Sequence, residues 1–195
     1  MTSSFTEREC TECSGTGKVR VRTKSGLGRM AKNKGRSTEL RVAKAIAEAI
    51  GVSYEECRRT PNSGALIERG DLRLSNMALT RFPWFIEVKA RESWDFFQLF
   101  SLPDPLVSWE PFTWYREAEL KAASDARNGF GDGTRHPVML VLLRNRKEPL
   151  ALLTKESAVR AGLMFPHVAV GEFVVMKFKI LLDHYRAKLA ESAPV

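Results

Sequence analysis

The even cysteine count of a disulfide framework, long apolar runs, clustered histidines and internal repeats are all missing from this sequence of 195 residues. Three cysteines, an odd number, exclude a disulfide framework and fit a reducing cytoplasm. The longest strongly apolar run, Val138–Leu143, is far short of the roughly 20 residues a spanning helix needs. The N-terminus carries no apolar signal-peptide core, so neither secretion nor a membrane partner is expected. Acidic residues are absent between positions 18 and 36. What is present is a 44% apolar composition, which excludes global disorder, and a net charge of +8.

The charge is concentrated at one end. Residues 1–36 hold nine Lys or Arg against three acids, most of the excess in the whole chain. Together with Gly, Ser and Thr and little apolar periodicity, this makes 1–31 read as a flexible basic N-terminal arm suited to a polyanion. Residues 32–195 read as the folded domain. Inside the arm, the run Cys10-Thr11-Glu12-Cys13-Ser14-Gly15-Thr16-Gly17 resembles half of the zinc-binding repeat of J-domain chaperones. Structural zinc takes four ligands, and Cys57, His136, His167 and His184 show no matching spacing. Zinc at Cys10 and Cys13 would need ligands from a second copy or from scattered positions, and metal-free thiols are the simpler reading.

Periodicity places the chemistry. Residues 35–50 predict an amphipathic helix with Val42, Ala43, Ile46 and Ile50 on one side and Arg41, Lys44 and Glu48 opposite. Glu39 falls within the apolar stripe, where a carboxylate is costly unless paired or close to a metal. Residues 52–60, 72–74 and 84–90 predict strands. In the last, Trp84, Ile86 and Val88 share one face, and Phe85, Glu87 and Lys89 share the other. Asp71 precedes the second strand, and a hairpin over 72–89 would bring it to Glu87. Two carboxylates and a lysine are a minimal set for holding Mg2+ and orienting water against a phosphodiester. Further on, the pattern predicts a helix over 114–128, strands at 138–143, 150–153 and 173–176, a short helix at 155–162 and a helical stripe over 178–189. The aromatic segment 94–114 could stack on unpaired bases, pack an irregular segment or form a subunit contact.

The run Lys34-Gly35-Arg36-x-x-Glu39, Arg59, Ser63-Gly64, Gly70-Asp71-Leu72 and Ile86-Glu87-Val88-Lys89 resembles the PD-(D/E)XK nuclease superfamily. Its closest likeness is to archaeal-type and phage Holliday-junction resolvases. The resemblance covers about residues 32–153 and rests on four elements in order rather than on any one of them. It implies an α/β, restriction-endonuclease-like core with a mixed central sheet flanked by helices. It further implies Mg2+-dependent hydrolysis of branched DNA by a homodimer, with Mn2+ able to substitute. Glu39, Asp71, Glu87 and Lys89 become the catalytic set. Asp71, Glu87, the Val88 backbone carbonyl and Glu39 become the metal ligands. Lys34, Arg36, Arg58, Arg59, Ser63 and Arg91 are the expected DNA contacts. Glu117 matches a position where the resembled resolvases carry glutamine, a departure that leaves its role open. A flap or single-strand nuclease of the same fold, and a DNA-binding protein that does not cut, remain alternatives. Filled catalytic positions argue against the last.

Overall fold

The computed structural model describes residues 5–9, 18–22, 24–60, 70–102, 104–130, 132–144, 147–163 and 167–191, with the side chains of 5–9, 18–22, 24–32, 34 and 107 outside the description. The chain divides into two compact units between Ser37 and Thr38.

In the first unit, strands β1 (Phe5–Glu9) and β2 (Lys18–Arg22) pair antiparallel, with Glu7 opposite Arg20 and Glu9 opposite Lys18. Little regular structure was expected over 1–31. The alternation Lys18-Val19-Arg20-Val21-Arg22, polar and β-branched in turn, is the pattern of a strand with two unlike faces. Cys10 and Cys13, and with them the zinc expectation, lie outside the described residues. Helix α1 (Lys24–Ala49) starts in this unit and not at 35 or 32. Its first turns hold only Leu27, Met30 and Ala31 as apolar residues, among glycines and basic residues, too few to extend the pattern that located 35–50.

The second unit continues through a 3-10 turn (Tyr54–Glu56), β3 (Cys57–Arg59), β4 (Leu72–Leu74), α2 (Asn76–Arg81), β5 (Phe85–Ala90), two short helices α3 (Gln98–Ser101) and α4 (Pro105–Ser108), α5 (Glu110–Arg127), β6 (Val138–Leu143), β7 (Leu150–Thr154), α6 (Lys155–Arg160), β8 (Val168–Val170), β9 (Phe173–Lys177) and α7 (Phe178–Glu191). Its main sheet has the order β5-β6-β7-β9-β8, with β5 and β6 parallel and the other pairs antiparallel. This is the mixed sheet expected.

The β6 sequence VMLVLL shows why the sheet is covered on both sides, since every residue of it is buried. Met139, Val141 and Leu143 enter one apolar layer with Val42, Ile46 and Ile50 of α1 and Leu181 of α7. Val138, Leu140 and Leu142 enter the other, with Phe112, Tyr115 and Ala118 of α5. Each such side chain contributes about 1.5–3 kcal/mol by leaving water. The C-terminal stripe Phe178, Leu181, Leu182 and Tyr185 is spent on the first layer, and the Trp84 Nε1–H donates to Tyr185 Oη at 2.7 Å. Most of the 94–114 segment packs inward too: Trp94, Trp109 and Phe112 are buried with edge-on ring contacts. Phe97 and Phe100, 71% and 68% exposed, are the exceptions. No helix among the described residues is long and apolar enough to cross a membrane.

Two local expectations change. β4 pairs with β3, with Cys57 opposite Leu74 and Arg59 opposite Leu72, rather than forming a hairpin with β5. The reason is α2: Ser75 Oγ accepts the Ala78 N–H at 3.2 Å and starts a helix that buries Ala78 and Leu79 between the two strands in sequence. The strand β8 was also not foreseen, its three residues being too few to show a period. It turns into β9 at Gly171, whose φ of +56° suits glycine and whose added Cβ would stand 2.8 Å from Leu106 Cδ1.

Candidate active site

Strand β5 is the edge of the main sheet, and its two kinds of residue face different partners. Phe85 N–H donates to the Pro137 carbonyl at 2.9 Å, and Arg91 N–H to the Leu143 carbonyl at 3.2 Å. In a parallel ladder such bonds come from alternate residues. The odd-numbered residues therefore serve β6, and Ile86, Val88 and Ala90 turn their N–H and C=O to the free edge. Asp71 occupies that edge: its Oδ2 accepts the Val88 N–H at 2.8 Å. The Val88 carbonyl faces the same open side, next to the Asp71 carboxylate.

Asp71 is held from three directions. Its own carbonyl accepts the Thr60 N–H at 3.0 Å, tying it to the end of β3. The preceding Gly70 N–H donates to Asp125 Oδ2 of α5 at 3.3 Å. Gly70 also lies against the Phe85 ring, where an added Cβ would stand 3.0 Å from Cε2 and press on the ring.

Glu87 points to the α5 face of the sheet and is almost fully enclosed, its side chain 2% exposed. Lys89 Nζ donates to Glu87 Oε1 at 2.8 Å, and Lys121 Nζ of α5 donates to the same oxygen. Oε2 is buried without a partner among the described residues. Glu39, in the second unit's portion of α1, accepts from Arg59 Nε in a partly buried ion pair. Burial, then the charge of Glu87, push the Asp71 carboxyl up to about 7, and Glu39 adds to the rise. The Val88 N–H and the Lys89 ammonium oppose it.

A raised carboxyl and an orphaned buried oxygen describe a place short of positive charge, and a divalent cation would relieve both. Among the described residues no group of three or more ligating side chains forms. Mg2+ does not require one: it keeps several waters and binds through one or two carboxylates. Asp71, Glu87 and the Val88 carbonyl fit that demand. Glu39, held by Arg59, fits a contact through water.

The structure thus brings together Asp71, Glu87, Lys89 and the Val88 backbone, with Glu39 close enough to act on Asp71 electrostatically. Of the six expected DNA contacts, four have described side chains. Arg59 is engaged by Glu39, and Arg58 is exposed with an ion pair to Glu55. Arg91 is exposed just past the end of β5. Arg36 is exposed in the first unit, the Lys34 side chain lies outside the description, and so does Ser63. Glu117 is exposed on α5, and the α5 side chains at the carboxylates are Lys121 and Asp125 instead. Both align with Ala118 and Ala122 in the helix period of α5. Charged residues in a stripe of buried alanines were the available signal, the same signal that marked Glu39.

A mixed sheet between helical layers, with an Asp, a Glu and a Lys gathered at its parallel edge strand, defines a restriction-endonuclease-like nuclease fold. The model of the phage putative PDDEXK endonuclease family matches residues 30–185, and the chain belongs to that family and so to the PD-(D/E)XK nucleases. No curated protein and no solved structure matches the chain.

Proposed function

We propose that this nuclease is a Mg2+-dependent, structure-specific DNA endonuclease that resolves four-way junctions as a homodimer. The observation that carries the metal-dependent chemistry is Glu87, an enclosed carboxylate with one oxygen on Lys89 and Lys121 and the other unpartnered among the described residues, beside Asp71. Asp71, Glu87 and the Val88 carbonyl would hold the metal, and Glu39 would reach its shell through water. When bound, the metal supplies Lewis-acid polarisation of the phosphoryl oxygen and a lowered pKa for water. Asp71 is kept in place by the Val88 N–H and by the Asp125–Gly70 link. Lys89, 20% exposed, can donate to the attacking water or to a phosphate oxygen and offset the negative charge that grows on phosphorus.

The junction as substrate is supported by the likeness of the 34–89 motifs to resolvases. Two symmetric cuts need two copies of a site that makes one, and a two-fold dimer is the commonest oligomer. With the C-terminal stripe buried, exposed Phe97 and Phe100 are the surface this reading assigns to the dimer contact. A cleavage assay with Mg2+ on four-way junctions, flaps, duplex and single strands tests the substrate. Paired symmetric nicks confined to the junction are expected, and preferred cutting of flaps or single strands would overturn the resolvase reading. Light scattering tests the assembly, with twice the chain mass expected and a strict monomer on junction DNA contradicting it.

A further inference from the structure

Lys121 is not required to neutralise Glu87. One carboxylate carries one negative charge, and Lys89 already sits 2.8 Å from Oε1 on the same strand. A second ammonium on that oxygen is a surplus for the pair, although it fits the wider cluster. Asp71, Glu87 and Glu39 supply three carboxylates, and Lys89, Lys121 and Arg59 supply three cations. A divalent cation entering between Asp71 and Glu87 repels both ammonium groups held on Oε1. One of the cations held on Glu87 must then change partner.

Lys121 is the one free to do so. Its side chain is 31% exposed against 20% for Lys89, and it comes from α5 on a flexible four-carbon stem. Its helix neighbours Ala118 and Ala122 are small and buried in the layer between α5 and the sheet. A swing toward solvent needs no backbone movement. Glu87 Oε1, left with Lys89 alone, and Oε2, unpartnered among the described residues, are then open to the metal.

We infer that Lys121 is a placeholder cation. It occupies Glu87 Oε1 beside Lys89 while the carboxylates are without metal, and it yields that place to the metal and meets the bound phosphodiester. The inference rests on the nuclease reading and adds an exchange of partners at the same site.

The test separates metal binding from cleavage. The full chain, stripped of metal, is titrated with Mn2+ in the absence of DNA, and free Mn2+ is followed by electron paramagnetic resonance. Removing the competing charge in Lys121→Met should tighten Mn2+ binding about tenfold, the order of effect of one nearby unit charge. Lys121→Arg keeps the charge and should bind like wild type. With DNA present, Lys121→Met should lower kcat by about tenfold or more at saturating metal, because the released cation no longer meets the phosphate. If the Met variant does not fold, Lys121→Gln carries the same test. Unchanged or weaker Mn2+ binding in the charge-removed variant would overturn the placeholder role while leaving the nuclease reading standing, as would tighter binding with undiminished kcat. Failure of the nuclease reading looks different: wild type would not cleave, and Asp71→Asn would bind Mn2+ as well as wild type does.

Discussion

The two faces of β5 both carry buried side chains and are differently made. Ile86 and Val88 point into an apolar layer shared with α1 and α7. Glu87, between them in sequence, points the other way and is as buried as they are, but it meets two ammonium groups and leaves an oxygen unpaired. Burial of the first kind stabilises the fold through area removed from water. Burial of the second kind costs stability unless the charges are matched. A strand that carries both at adjacent positions separates scaffold from chemistry by a half-turn of its own backbone, and substitutions at neighbouring residues should therefore fail in opposite ways.

The largest effect expected is at Glu87. Glu87→Gln should cut cleavage by about a thousandfold, since the metal's contribution is worth several kcal/mol, with little loss of fold. Ile86→Ala should do the reverse, costing about 2–5 kcal/mol of stability while the surviving folded fraction keeps its kcat. Parallel melting curves and single-turnover rates report both. A Glu87→Gln protein that cuts at the wild-type rate would erase the distinction between the faces.

The next effect is a pH dependence. In the folded protein the Asp71 carboxyl lies at about 7 against an ordinary 3.8, so between these values the folded state holds a proton that the unfolded state has lost. Stability contributed through Asp71 therefore falls as pH rises from about 4 to about 7, then levels off. Without metal, Asp71→Asn should be more stable than wild type at pH 8 and no more stable at pH 4. Melting in chelator at the two pH values checks this, and equal behaviour of the two proteins at pH 8 would contradict it.

These particular residues also show what could be read in advance. Alternation alone put Glu87 and Lys89 on one face of β5, and the helical period put Glu39 in an apolar stripe. Both are local patterns of one element. The pairing of β4 with β3 was not legible, because it depends on α2 starting at Ser75 and intervening before β5. Lys121 and Asp125 were visible as charged members of the α5 stripe, but a lysine there is equally consistent with a stem lying along apolar surface and its head in water. Only the packing of α5 over β5 and against Gly70 shows which carboxylate and which N–H they serve.

A smaller effect is expected at that packing. Asp125→Ala leaves the buried Gly70 N–H without its acceptor, a loss of about 1–3 kcal/mol, and loosens the segment that carries Asp71. Cleavage should slow while the KM for DNA is unchanged, and Asp125→Asn, which keeps an acceptor oxygen, should restore most of the rate. A change in KM alone would place Asp125 in substrate binding instead. The smallest effect concerns the first unit. Replacing Lys18, Arg20 and Arg22 of β2 by Gln should flatten the salt dependence of DNA binding by about 0.9 in log–log slope for each phosphate no longer neutralised. An unchanged slope would mean that this strand does not touch the DNA backbone.

The most direct measurement is anomalous scattering from crystals of the wild-type protein soaked in Mn2+. One peak is expected between the Asp71 and Glu87 carboxylates and beside the Val88 carbonyl, with Lys121 drawn away from Glu87 Oε1. A peak elsewhere, or Glu87 still closed by both lysines with no metal beside it at saturating Mn2+, would contradict the assignment of this strand edge as the catalytic centre.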